Sequence, residues 1–321
     1  MYDSPEENRS SRIAAGLYNP ITGRQMVKTW LADALFGDLE AFYGACAQDF
    51  GADFLHPVEI YRPFWSLEEQ NEWMGKSAEP HYAPYIRRVH QHSRDQALGD
   101  PYGGVSLQRS GYVDIPLFLD AAAAYFASFG ALRQSAFQLD QVREEAGSVW
   151  YEGVKARGLV LCTGLGAHQA SRYAVPGFAP VKGEILDLRQ QPTLPYIVNR
   201  GVFRISLGED RVRVGSTYTH FDLDEGPTER AKKELLEKLE KLVQGPVDEL
   251  LAHRYGLRPA TKDRKPILGK HPESSGVYIL NGLGAKGVSL APYFSEVLMD
   301  FMLEGKEVPK EVNINRFFKY I

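Results

Sequence analysis

The residues best placed to do chemistry lie near the C-terminal end, in two runs. The first is Gly256-Leu257-Arg258-Pro259-Ala260-Thr261-Lys262-Asp263. The second is Asn281-Gly282-Leu283-Gly284-Ala285-Lys286-Gly287-Val288-Ser289-Leu290-Ala291-Pro292. The second run follows an apolar strand predicted over Val277 to Leu280 and leads into an apolar helix predicted from about Leu290 to Met302. Glycines in such a turn let a backbone come close to a ligand. The helix start behind them offers N–H groups without intrahelical acceptors and the positive end of the helix dipole. That chemistry suits an electron-rich, partly anionic group. The first run sets one guanidinium, Arg258, between glycine and proline on a predicted bend. An ordinary strand-turn-helix with surface charges would give the same local pattern.

The rest of the chain has to position these runs. With 321 residues, 44% of them hydrophobic, it is long enough for two domains that bury real cores. A net charge of -4 gives no reason to expect nucleic acid or an anionic membrane as partner. No apolar run is long enough to span a bilayer, and the polar opening (Asp3, Glu6, Glu7, Asn8, Arg9) has no signal-peptide pattern. Cys46 and Cys162 sit far apart in apolar contexts and read as reduced cysteines of a cytoplasmic protein, with no metal site.

Taken in order, Ser10-Ser11-Arg12-Ile13-Ala14-Ala15-Gly16-Leu17 is a run rich in small residues that implies close packing against a helix or a ligand. A helix is predicted from about Leu31 to Asp49, with Leu31, Leu35, Leu39, Phe42 and Cys46 as its core stripe. Phe54 to Phe64 reads as strand. Ser66 with Glu69 reads as a capping box. Residues 75–110 read as polar loops, with His81, His90 and His92 at the surface. A helix is predicted over Leu117 to Phe129, a hairpin or meander over 132–156, and a short buried strand over Arg157 to Gly164. A second β region opens at Val181 and continues as a hairpin, Pro195–Leu207 with Arg211–Thr219. Thr228 to Val243 is a charged helix with one leucine face. Strands with glycine turns alternate with half-buried hairpin strands, which predicts a mixed α/β (α+β) fold of two discontinuous domains.

Six segments, in order along nearly the whole chain, carry a resemblance. They are Ser10 to Gly16, Arg157 to Gly164, Pro180-Val181-Lys182-Gly183-Glu184, Tyr196-Ile197-Val198, Gly256 to Gly269, and Leu280 to Pro292. On them the chain resembles the FAD-dependent oxidoreductases of the D-amino-acid oxidase family, most nearly the glycine oxidases. The resemblance implies a partial Rossmann-like FAD-binding domain (1–53, 108–180 and 250–321) and an antiparallel-sheet substrate domain (54–107 and 181–249). It implies non-covalent FAD. Ser10 and Ser11 match positions beside the phosphate and ribose, and Ala15, Gly16 and Leu17 match the loop against the ring. Thr163 and Gly164 match a strand end near the adenosine half. Leu283, Gly284, Ala285, Lys286, Gly287, Val288 and Ser289 match the turn under the pyrimidine edge. Arg258 matches the arginine that grips a substrate carboxylate, and Tyr196 and Tyr218 match substrate-pocket positions.

The chain departs from that family in two places. It opens at the end of the family's second strand, with Asp3 matching the acidic residue that binds the adenosine ribose. About thirty residues carrying GxGxxG, a βαβ unit without its last strand, are expected upstream. Ala285 stands where glycine oxidases have a second arginine, followed here by Lys286.

The implied activity is oxidation of an amine or amino acid by hydride transfer from the substrate carbon to flavin N5, with a small molecule as the only expected partner. The alternative is a truncated, non-catalytic member that binds FAD weakly or not at all. A third reading is a binding module that uses Arg24, Lys28 and Arg62 to recognise an anion. The sequence names neither the substrate nor the electron acceptor nor the oligomeric state.

Overall fold

The computed structural model describes residues 1–4, 10–23, 25–145, 147–166, 172–223 and 226–318. The chain divides into two compact units. One comprises Met1–Glu7, Ala123–Val181 and Leu257–Ile321, the other Asn8–Ala122 and Lys182–Gly256. Residues 8–53 and 108–122 thus fall in the second unit, not with the glycine-turn segments to which the sequence reading assigned them. A small sheet is the reason. Gly111–Val113 pairs antiparallel with both Leu17–Tyr18 and Leu55–Pro57, and this ties the three stretches together.

The first unit is built on a three-stranded sheet in the order Leu159–Leu161, Val277–Asn281, Ile267–Lys270. The first pair is parallel and the second antiparallel. Leu161, Ile267, Val277 and Ile279 enter one core with Val149, Tyr151, Tyr173 and Phe178. The expected meander appears as Arg143–Glu145, Ser148–Tyr151 and Val154–Ala156. The helix Gly287–Glu304 packs on this sheet.

The second unit is built on eight strands. Their order is Glu249–Arg258, Val181–Arg189, Arg211–Gly215, Val202–Ser206, Ile197–Arg200, Ile60–Pro63, Gly104–Leu107, Ile86–His90. Helix Glu229–Leu242, capped by the Thr228 hydroxyl, covers one face. Its Leu235, Leu239 and Leu242 pack on Leu186, Leu188, Val198, Val212 and Val214. Each such leucine stabilises the unit by roughly 1.5–3 kcal/mol.

Several local expectations change. The run 195–207 is not one strand: Gly201, at φ +77°, turns it into a hairpin of Ile197–Arg200 with Val202–Ser206. The polar stretch 75–110 contributes two strands, because sheet neighbours supply the burial that its composition hides. The helix expected over 31–49 breaks at Phe36–Asp38 into Ala32–Leu35 and Leu39–Phe50, and its buried side is Leu35, Leu39 and Tyr43, with Phe42 exposed. At the predicted capping box the Ser66 hydroxyl accepts the Glu69 N–H, while the Glu69 carboxylate takes the Trp65 N–H. Among the described residues no helix is long and apolar enough to cross a membrane.

Candidate functional site

In the first unit two strand ends and one bend meet. Because Leu159–Leu161 and Val277–Asn281 run parallel, their carboxyl ends lie side by side at Thr163–Gly164 and Gly282–Lys286. The edge beyond parallel strand ends is where open α/β sheets take ligands. Asn281 fixes the meeting. Its Nδ2 donates to the Gly164 carbonyl at 2.9 Å and its Oδ1 accepts the Gly282 N–H at 2.7 Å. The sequence reading missed this residue, although Asn-Gly after an apolar run is a turn signal. Gly282 has φ +72°, and a Cβ there would come within 2.7 Å of the Thr261 side chain.

The Gly284 N–H donates to the Pro259 carbonyl at 3.2 Å, so the bend that follows half-buried Arg258 abuts the glycine turn. The helix that starts at Gly287 has no side-chain cap at Lys286 and no acidic residue in its first turn. Among the described residues the Gly287 N–H meets no acceptor. The positions where a Cβ would sit at Gly164 and Gly287 are open space. A donor without an acceptor, a positive dipole end and open space before two glycines are what an electron-rich ring edge requires. The residues present therefore fit the group that the resemblance implies. The Lys286 ammonium is held below its ordinary value, by desolvation first and by the Arg264 guanidinium second.

Glu144 locks the strand that carries the glycine turn. Its Oε2 accepts the Ser274 and Ser275 hydroxyls and the Ser275 and Gly276 N–H groups at 2.7–3.1 Å, and its Oε1 accepts the Tyr173 hydroxyl at 2.7 Å. Burial alone would raise this carboxyl, but the hydrogen bonds outweigh it and hold it at about 2. A carboxylate depressed below its unfolded value of 4.5 contributes stability above that value and loses it as the pH falls toward 2. Glu144→Gln should therefore flatten the acid limb of a Tm-against-pH curve between pH 4.5 and 2. An unchanged acid limb in that variant would refute the assignment.

The other expected site residues lie elsewhere. Asp3, exposed, donates its N–H to the Arg133 carbonyl beside the Tyr2–Arg133 bridge of the first unit. In the second unit, Ser10 and Ser11 begin the single turn Ser10–Ile13, against which Gly256 packs. Ala15 leads into Gly16, whose φ is +71° and where a Cβ would lie 1.8 Å from the Val113 carbonyl oxygen. Leu17 then pairs with Tyr112.

Tyr196 and Tyr218 stand in different surroundings. The pairs Val198–Arg204 and Ser206–Val212 set Tyr196 level with the Arg211–Val212 end of the sheet. Tyr218 lies six residues further along the chain, beyond the end of strand Arg211–Gly215. Tyr218 is half exposed. Tyr196 is buried in the core beneath helix Glu229–Leu242, with the Arg94 guanidinium 3.7 Å above its ring. Among the described residues its hydroxyl has no partner, and burial pushes the phenol up to about 12.

His90 is not a free surface residue: its Nε2 lies 2.8 Å from Ser106 Oγ, which is itself 2.6 Å from Glu59 Oε1. The serine stands between the other two, whereas nucleophile activation needs the histidine in the middle. Of the anion-reading trio, Lys28 is paired with Asp33 at 2.7 Å and Arg62 donates to the Ile21 and Gly23 carbonyls. Arg24 lies outside the described residues.

A family model described as FAD dependent oxidoreductase matches residues 6–301. The glycine oxidase of Bacillus subtilis (strain 168) is 29% identical over 140 residues, 42% of this chain and 36% of that protein. The glycine oxidase of Geobacillus kaustophilus (strain HTA426) is 26% identical over 265 residues, 78% of this chain and 67% of that protein. The chain thus spans about a third of the first relative and two thirds of the second. The crystal structure of iminodiacetate oxidase from Chelativorans sp. BNC1 superposes with a TM-score of 0.77 at 21% identity, over 97% of this chain and 91% of that one. At that identity the likeness is one of fold.

Proposed function

The chain belongs to the FAD-dependent oxidoreductase family, and on that premise we propose that it oxidises a small amine or amino acid with non-covalently held FAD. The observation that carries this reading is the meeting of the Arg258–Pro259 bend with the Gly282–Gly287 turn through the Gly284–Pro259 hydrogen bond. When bound, FAD supplies the two-electron acceptor, with hydride passing from the substrate carbon to flavin N5 as the family's chemistry.

The chain's own residues bind, orient and stabilise. Thr163 and Gly164 would hold the adenosine half. The Gly287 N–H and the positive end of the helix that starts there would oppose negative charge on the ring edge, over the 283–289 turn. Arg258 would take the substrate carboxylate in a two-point grip, fixing the carbon that is oxidised. Lys286 would supply the cation that glycine oxidases carry one residue earlier. The roles of Asp3, Ser10, Ser11, Ala15, Gly16, Leu17, Tyr196 and Tyr218 rest on the resemblance. The relatives named glycine oxidase and the fold likeness to an iminodiacetate oxidase direct the substrate search toward glycine and N-carboxymethyl amines.

The test is titration with FAD, followed by a screen of amines and amino acids without air. Bound flavin that bleaches with an amino acid is the expected result. Protein that stays colourless after added FAD would favour the alternative, a member that binds FAD weakly or not at all.

A further inference from the structure

The eight-stranded sheet has two edges of opposite character. One is Ile86–His90, which carries Arg87 and Arg88, both exposed. Charges of this kind are how natural sheets discourage pairing with another chain. The other edge is Glu249–Arg258, ten residues long. Its first half has no lysine, and Val247, Leu250 and Leu251 on and beside it are each close to 40% exposed. A groove of about 500 Å³, lined in part by Leu236, Pro246 and Val247, extends this apolar strip to helix Glu229–Leu242. Such an edge left open is an aggregation hazard, so a specific occupant is the economical solution.

Charge on the strand identifies the occupant. Arg254 pairs with Asp187, while His253 Nε2 lies 2.8 Å from Glu184 on the opposite face. Alternation therefore puts Asp248, Leu250, Ala252 and Arg254 on one face, and Glu249, Leu251 and His253 on the other. We propose that two copies of this chain pair antiparallel along Glu249–Arg258, about a two-fold axis at Leu251, to form one continuous sheet. That register sets Leu251 against Leu251 of the partner subunit. It sets Arg254 opposite Asp248 of the partner subunit on one face; on the other, Glu249 is already paired with Arg189 of its own chain at 3.0 Å. In this register the Arg254–Asp248 face is complementary in charge and the two Leu251 side chains meet at the axis. Among the described residues, Asp187 pairs with both Arg213 and Arg254. Asp248 of the partner subunit supplies the second carboxylate.

The experiment is the molecular mass in solution by light scattering. The unaltered chain gives twice 36.0 kDa, and Leu251→Lys gives a single 36.0 kDa with an unchanged far-UV circular dichroism spectrum. Leu303→Lys, at an exposed position on another helix, keeps the doubled mass. Leu251→Cys, oxidised, runs as a covalent dimer that the unaltered chain with its own two cysteines does not form. A monomeric unaltered chain, a Leu251→Lys variant that keeps the doubled mass, or a Leu251→Cys variant that does not cross-link overturns the proposal.

Discussion

Replacing Arg258 by alanine raises the KM for an amino-acid substrate by about 10- to 150-fold, the equivalent of one charge-assisted hydrogen-bonded grip. FAD still binds, because Asn281 holds the two strand ends through the Gly164 carbonyl and the bend meets the glycine turn through a backbone hydrogen bond, Gly284 N–H to the Pro259 carbonyl. Arg258→Lys recovers only part of the loss, since an ammonium keeps the charge but lacks the planar fork. Steady-state kinetics with flavin absorbance as the binding readout decides the matter. A variant that turns over substrate like the parent would remove Arg258 from the site. A variant that loses flavin and activity together would make it a structural residue.

Substituting Glu184 by alanine is the change expected to cost the most stability. Lys182 and Glu184 are both at least 96% buried, with Lys182 Nζ 3.5 Å from the carboxylate. The carboxylate also accepts the Thr228 N–H at 2.7 Å and its hydroxyl at 2.9 Å, anchoring the start of helix Glu229–Leu242. Removing it takes the carboxylate away from a buried ammonium that also donates to the Asp222 and Gly226 carbonyls, at 3.2 and 2.7 Å. Stranding one member of a buried pair costs about 3–5 kcal/mol, or roughly 10 °C in Tm for a chain of this size. Lys182→Met added to Glu184→Ala should recover much of that, because an apolar pair avoids the stranded charge. A melting curve of Glu184→Ala within about 2 °C of the parent would contradict this account.

The sequence carried the parts of the site that depend on one stretch of chain. The turn Gly282–Gly287 and the helix behind it follow from glycines after an apolar strand, and Gly130 (φ +71°) and the Ser66 cap follow from local chemistry in the same way. The six ordered segments were legible as a family resemblance, which the match over residues 6–301 bears out. The stripe of the helix expected over 31–49 was misread because Gly37 and Asp38 restart the helix and rotate its buried side to Tyr43. The strands within 75–110 were invisible because their burial comes from sheet neighbours, not from their own apolar content.

Residue types and spacing by themselves determined a mixed α/β chain with an anion-friendly glycine turn and one arginine on a bend, since turn and cap preferences act over a few residues. Tertiary structure alone decided that this bend touches this turn, that Asn281 holds the two strand ends, and that Tyr196 lies level with Val212 in the sheet while Tyr218 follows the end of strand Arg211–Gly215. Those facts depend on strand register and on pairing between segments more than a hundred residues apart, and no local preference encodes either.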